Sequence, residues 1–574
     1  MTLRNRSSLA VLTRSWLSAS PFPRPCALVG PGFLRITSRV LTGALGMTVL
    51  RGARPRGAAA KLFAAAGAVL ALSSCTKAPQ HWGVPGEVRI GYLGTIYTLN
   101  PIIAFGQRLI DLTQLYTQPL VGISPKNKAI PVLCTQVPSI TNGGISRDGL
   151  TITYHLRHVR FADGVPFTSK DVAFTYRAIL DPRNPVTEAS PYLRIASLTT
   201  PDAHTVVVRL RHRWAGAVRE LFAASDYIYG ILPAHAFAST DMVHAAWNEH
   251  PFGTGPFRVT RWIRGDSVEL TRNPYAWEPP KLTRIVIRML ADENTAFIAL
   301  QSHAIDFTDI TYEQVATARA ERDVRVVAIP RNEVDDIELQ TQGSAMHDLR
   351  VRQAVAYAID RRTIARAVYH GYSPLASTEV SPLFPEHDAS IAALPYDPAR
   401  ARALLGGRRV AVRITFNASE NTYAAVATVV QANLRSVGFE ATLDGATPSL
   451  LYAPPAQHGV LYDGLFDLEI GGWYGGLDPE ASEPWTCANR APNGPNVARW
   501  CDPQYDAAFS RQQQTLDPRE RTAAFHAMQR RIHEEIPAIF LVYRTEFEAI
   551  NPSLHGFAPN MLYNFGQTED WSLR

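Results

Sequence analysis

Short stretches in which apolar and polar side chains alternate recur through the first half of the chain. EVRIGYL (87–93), TITYHLR (151–157), HTVVVRLR (204–211), DSVELTR (266–272) and RIVIRML (284–290) predict strands. Between them, TSKDVAFTYRAIL changes to the period of a helix: Thr168 is placed to cap it with Asp171 three residues on, and Val172, Tyr176 and Ile179 share a face. In the second half strand and helix patterns take turns. LRVRQAVAYAIDRRTIARAVYHG sets Val351, Val355, Ile359 and Val368 on one helical stripe that stops at Gly371. RVAVRITF reads as a strand, NTYAAVATVVQANLRSVG as a helix ending at Gly438, and FEATL as the next strand. Such a βαβ unit predicts a parallel or mixed sheet covered by helices. FDLEI (466–470) is a further strand and runs straight into GGWYGGLDP. Asp517, Pro518 and Glu520 open a last helix that buries Phe525, Met528, Ile532 and Ile536. With 574 residues the chain is too long for one core, so two or three packed units are expected in an α/β protein.

One apolar stretch departs from these periods. Leu62–Leu72 is too short to span a bilayer as a permanent helix, follows Arg51, Arg54, Arg56 and Lys61, and ends in LSSC. This is the layout of a bacterial lipoprotein signal, which predicts Cys75 as the lipidated new N-terminus. Met47 begins a signal of ordinary length (47–75), and residues 1–46 read as a leader from a start site set too early. The overall charge of +6 also traces to this region: residues 1–75 hold ten Lys and Arg and no Asp or Glu. The remainder carries 47 basic against 51 acidic residues, a formal charge of −4, so a nucleic-acid partner loses its support. No later segment is long and apolar enough to cross a membrane. The expected product is a monomeric body tethered by lipid on the periplasmic side of a bacterial cell envelope.

Cysteine usage fits that compartment. Cys487 and Cys501 bracket a Pro-, Gly- and Asn-rich loop that cannot hold itself by packing, and a disulfide between them is expected. Cys134 has no evident partner and reads as a small buried residue. Catalytic patterns are missing: no Gly-x-Ser-x-Gly, Walker loop, His-Glu-x-x-His or Cys-x-x-Cys occurs. His526 and His533, two turns apart beside Glu534 and Glu535, read as a solvated helix face and not a metal site, and no cofactor is implied. Binding has better material. Ligands of α/β sheets sit beyond the carboxyl ends of strands, where Gly472, Trp473 and Tyr474 lie. Trp473 suits a pocket wall or a core aromatic, and Asp478, ahead of Pro479, suits a helix cap or a ligand anchor.

Longer stretches carry a family pattern: DGLTITYHLRHVRFADGVPFTSKDVAFTYRAIL (148–180), GTGPFRVTRWIRGDSVELTRNPYAW (253–277), DENTAFIALQSHAIDF (292–307), LRVRQAVAYAIDRRTI (349–364), RWCDPQYDAAF (499–509) and EEIPAIFLVYR (534–544). In these, and from about residue 87 onward, the chain resembles the family 5 extracellular solute-binding proteins, the peptide- and oligopeptide-binding lipoproteins of ATP-driven (ABC) importers. The resemblance implies a two-lobed periplasmic-binding-protein clamp, type II-like. Lobe I would be built from 76–118, 251–330 and 541–574, with 119–250 inserted as a subdomain, and lobe II from 331–540. Two crossing strands would join the lobes, which would close on a peptide or peptide-like solute and deliver it to a membrane permease with its ATPase.

Trp473 carries over from the family pattern as a pocket wall. In peptide binders an Asp three residues after that Trp pairs with the peptide amino group; Gly476 stands there, and Asp478 follows two residues later. Dipeptide binders also carry an Arg after the first lobe II strand, where this chain reads FNASEN. Both departures disfavour a short free peptide. Tyr97, Phe105 and Tyr543 are further contact candidates by position. The rival readings are an envelope peptide hydrolase and a receptor for a metal chelate, a sugar or a signal.

Overall fold

Two strands run far longer than the others, Arg325–Leu339 and Ala538–Ile550. They pair antiparallel at the middle of a ten-stranded sheet. The computed structural model describes residues 82–573 apart from 105, 187–188, 225–229 and 480–482. The signal, Cys75 and Phe105 therefore lie outside the described residues.

On one flank of the long pair come Phe307–Ile310, Glu87–Leu93, Arg284–Leu290, Ser267–Arg272 and Phe257–Ile263. On the other come Leu468–Tyr474, Val410–Asn417 and Phe439–Ala446. The two flanks are the sheets of two lobes, and the long strands cross from one to the other. The first lobe also carries a separate antiparallel sheet of Thr151–His155, Thr205–Leu210 and Ile195–Asp202, packed on the helix Ser169–Ile179. Asp171 accepts from the Thr168 backbone N–H at 2.8 Å and closes the capping box that starts this helix.

In the second lobe the βαβ unit forms as its pattern predicts. Val410–Asn417 and Phe439–Ala446 are parallel neighbours, connected by the helix Asn421–Val437, which ends at Gly438 with φ 115°. That backbone angle is open to glycine and costly for side-chain-bearing residues. Val426, Val430 and Leu434 of this helix bury against Ile337, Leu339, Ile414 and Ile470 of the sheet. The stripe from Val351 to Val368 is buried too, but not on one helix. Leu349–Ala358 stops, and Asp360 starts a second helix, Arg361–Ala367, by accepting from the Thr363 N–H at 3.0 Å. An apolar stripe does not register a break when an N-cap inside it restarts the helix in compatible phase.

The last helix, Pro518–Glu535, starts where Asp517 accepts from the Arg519 N–H at 2.8 Å. It buries Phe525, Met528 and Ile532, and Ile536 follows as its left-handed cap (φ 51°). Cys487 and Cys501 form a disulfide. Within its loop the Asn496 side-chain amide donates to the Thr486 and Trp500 carbonyls. Cys134 is buried, its Sγ 3.0 Å from the Leu120 carbonyl.

The disulfide closes fifteen residues, which in the loop-entropy picture stabilises the fold by about 3 kcal/mol. Replacing Cys487 and Cys501 together by Ser is expected to lower the denaturant midpoint by that order. A midpoint equal to that of the oxidised parent would show that the loop is held by packing alone.

Candidate functional site

The crossing strands do not run in even register. Pro330 pairs with Thr545 and Val334 with Tyr543, so Arg331, Asn332 and Glu333 on one strand face Arg544 alone on the other. This bulge lies between the pairings to the first lobe (325–330 with 545–550) and to the second (334–338 with 538–543). It bends the ladder at the boundary between lobes and turns charged side chains inward.

Arg544 is the centre of that group. Its guanidinium lies 2.8 Å from Glu333 and 3.0 Å from Asp335. The Glu333 contact is an ion pair by distance, although Glu333 Oε1 lies outside hydrogen-bonding geometry. Tyr369 donates to Asp335 at 2.7 Å, and Arg544 donates to the Tyr423 hydroxyl at 3.3 Å. Burial opposes the charge on Arg544, but Asp335 and Glu333 outweigh it and hold its pKa above the ordinary value. Burial also drives Glu333 up, against the pull of Arg544.

A second set of charges faces the first lobe. Arg331 donates to Glu546 at 2.6 Å, to the Asn564 side chain at 2.5 Å and to the Asn560 carbonyl at 3.1 Å. The Asn564 amide in turn donates to Glu548 at 2.7 Å. Beside them, Asp111 is pushed up to about 8 by burial, with Arg331 acting against the shift. At the rim, Arg108 donates to Asp309 at 2.7 Å. Burial works against the Asp309 charge, yet Arg108 helps hold its pKa below the ordinary value, while burial and neighbouring Asp309 raise that of Glu548. These groups extend from Tyr92 and Tyr97 in the first lobe to Tyr474 in the second. Glu546 acts electrostatically on both Arg108 and Tyr474.

The residues singled out in the sequence fall into different environments. Tyr97 and Tyr474 are 56% and 55% exposed at the two ends of this charged band. Neighbouring Glu333 is the main cause of a raised Tyr474 phenol pKa. Trp473 is half-buried; its indole N–H donates to Glu338 at 2.8 Å, and its ring meets Trp485 edge-on. Gly472 is required by close approach: a Cβ there would lie 2.7 Å from an Asp335 oxygen. Gly475 is similar, with the Asn332 amide 2.2 Å from where its Cβ would stand.

Tyr543 and Asp478 have internal partners. The Tyr543 hydroxyl donates to the Thr378 carbonyl and accepts from the Ser377 and Thr378 N–H groups, holding the 377–380 loop. Glu379 on that loop is pushed up to about 8 by burial. Asp478 is 1% exposed, and both of its oxygens accept from Arg521, at 2.5 and 2.8 Å. In this conformation its carboxylate is committed to the helix Pro518–Glu535. The helix that Asp478 is expected to cap would run through 480–482, which lie outside the described residues. His526 lies 3.8 Å from Asp388, while burial, with Arg361 nearby, lowers His533. No set of three metal-ligating side chains occurs among the described residues.

Sequence reasoning passed over Arg331, Glu333, Asp335, Arg544 and Glu546. A signal was present: RNEVDDIEL and FLVYRTEFEAI set charges inside runs otherwise apolar enough for a buried strand. Charges at such positions need partners across the fold.

Residues 130–494 match the model for bacterial extracellular solute-binding proteins, family 5, middle region. A protein of Brucella ovis named for peptide binding in an ABC transporter is 29% identical over 476 residues, covering 79% of this chain and 86% of its own length. The glutathione-binding protein GsiB of Escherichia coli O1:K1 is 28% identical over 485 residues, covering 82% and 91%. The oligopeptide-binding protein AppA of Bacillus subtilis, solved with a nonapeptide, shares the fold at a TM-score of 0.72 and 20% identity, covering 86% of this chain and all of its own.

Asp111 and Glu379 bind protons in the fold that they release when unfolded near pH 4 to 8. Their contribution is complete below the unfolded carboxyl pKa of about 4 and is lost as pH rises through about 8. Melting temperature should therefore fall between about pH 5 and 8, and Asp111→Asn with Glu379→Gln should flatten that slope in calorimetry. An unchanged slope in the double variant would contradict the assignment.

Proposed function

The chain belongs to the bacterial extracellular solute-binding proteins of family 5, and we propose that it is the substrate-binding lipoprotein of an ABC importer, capturing peptides or peptide-like solutes between its lobes for a membrane permease. The observation that carries this reading is the bulge of three residues opposite Arg544, where the two long strands that cross between the lobes change register. A short irregular segment in each connecting strand can absorb the dihedral changes of opening and closing. A solute touching both lobes then favours the closed state by its differential affinity. Peptide is supported as the ligand class by the relatives named for peptides and glutathione. Exposed Tyr97 and Tyr474, on opposite lobes, supply aromatic surface for it. We assign capture without bond-making to this cleft.

The domain limits we propose are 76–118, 251–330 and 541–574 for lobe I, 119–250 for its insertion, and 331–540 for lobe II. Trp473, Tyr474, Gly472, Tyr97 and Phe105 are the proposed cleft residues. Asp478 and Tyr543 are assigned to support it, because their polar atoms are engaged within the protein. We further propose that Cys75 carries the lipid and becomes the N-terminus once the signal ahead of it is cleaved, which places a monomeric receptor on the periplasmic side of the envelope.

Native mass spectrometry of purified protein should find a co-purified solute of peptide composition, and small-angle scattering should show a smaller radius of gyration when it is returned to stripped protein. Scattering indifferent to every peptide offered, or steady release of cleavage products, would sink the capture reading. For the anchor, Cys75→Ser should move the protein from the membrane fraction to the soluble one; a variant that still sediments would refute lipidation at this residue.

A further inference from the structure

On the second lobe, one face of the sheet carries a group of carboxylates outside the Arg544 cluster. Asp336 and Glu338 alternate along the crossing strand and point away from Ile337 and Leu339, which lie in the helix-covered core. Glu338 is the cross-strand partner of Glu469, and Asp336 that of Gly471. The three side chains therefore share one face. They are 0%, 3% and 5% exposed, and no Lys, Arg or His pairs with any of them among the described residues. Arg544 is directed to Asp335, on the opposite face.

Two further observations point to a missing group. Neither oxygen of fully buried Asp336 has a hydrogen-bond partner. Thr415, the parallel partner of Glu469 on the next strand, is also 0% exposed with its hydroxyl unpartnered. Buried acceptors and donors are ordinarily satisfied, so several unused on one face indicate a place for something polar. The absence of side chain at Gly471 helps make the space: a Cβ there would stand 2.7 Å from Glu469 Oε1, so the Glu469 carboxylate folds over that position, in the direction of Trp473. Trp473, on the same face, donates to Glu338. Burial and the neighbouring carboxylates raise the pKa of Asp336 and Glu469.

We propose that Asp336, Glu338 and Glu469, with Thr415 and Trp473, form a pocket for the organic cation, an ammonium or guanidinium, of the captured solute. The inference rests on the reading of the chain as a solute receptor and adds the charge of its cargo. Among the described residues no set of three ligating side chains has the arrangement for a metal ion, whereas carboxylates spread along two strands suit a group with several N–H donors beside an indole.

Isothermal titration with alanine-based tri- to hexapeptides, each carrying one Lys or the uncharged norleucine in its place, tests the assignment. The parent should favour the Lys member by about tenfold or more. Glu338→Gln/Glu469→Gln, which keeps the shape and removes charge, should reduce the preference to about twofold or less while still binding norleucine peptides. Equal affinity for both members in the parent would overturn the cation pocket and leave peptide capture standing. If no peptide binds, free arginine and spermidine decide the matter by thermal shift. Stabilisation of the parent but not the double variant supports the pocket and refutes peptide as the ligand class; no difference between the two proteins overturns the pocket. Asp336→Asn is the second variant, expected to fold and to weaken the Lys preference in the same direction.

Discussion

The ion pairs of Arg544 with Glu333 and Asp335 are the constraint around which the two lobes are arranged. Glu333 lies within the bulge and Asp335 just beyond it, so one guanidinium ties the irregular segment to the regular strand of the second lobe. Tyr369 and Tyr423, from the helical layer on that lobe, reach the same group. Taking such charges out of water costs several kcal/mol per ion, and the pairing offsets this only when the geometry is met. An arrangement of this kind adds little net stability, but it penalises every conformation that leaves Arg544 buried without its acids.

From that centre, electrostatics divides the molecule. Toward the first lobe, Arg331 is matched by Glu546 and the Asn564 amide, and Arg108 by Asp309. Toward the second, Asp336, Glu338 and Glu469 lie on the opposite face of the sheet with no matching cation among the described residues. In the first group each guanidinium meets a carboxylate of the protein, whereas the acids of the second have no cationic partner among the described residues. That difference separates acids matched by a guanidinium from acids that lack one among the described residues. It also explains the positions of Asp478 and Arg521, which satisfy each other inside the protein and so add no charge to the cleft.

The backbone around the indole serves the same division. Gly472 and Gly475 permit the crossing strand and Asn332 to approach within a distance that a Cβ would block. Asn332 then ties the segment down, donating to the Gly476 carbonyl at 3.0 Å and accepting from the Gly475 N–H at 2.8 Å. Trp473 and Tyr474 are consequently positioned by packing against the bulged segment of the crossing strand.

Period and punctuation determined much of this protein in advance. The strands at 87–93 and 284–290, the βαβ unit ending at Gly438, the capping box at Thr168 and the Asp517 helix start are local matters, each settled by a few neighbouring side chains and the backbone groups they satisfy. The disulfide between Cys487 and Cys501 was legible for the same reason, because its loop is short and poor in apolar residues. Tertiary structure alone decided the site. Whether Asp478 faces a solute depends on Arg521, 43 residues away, and whether Glu333 is balanced depends on Arg544, 211 positions along the chain. A charge has no preferred period and acts through space, so its role is fixed by what the fold sets within a few ångströms of it, which no local pattern encodes.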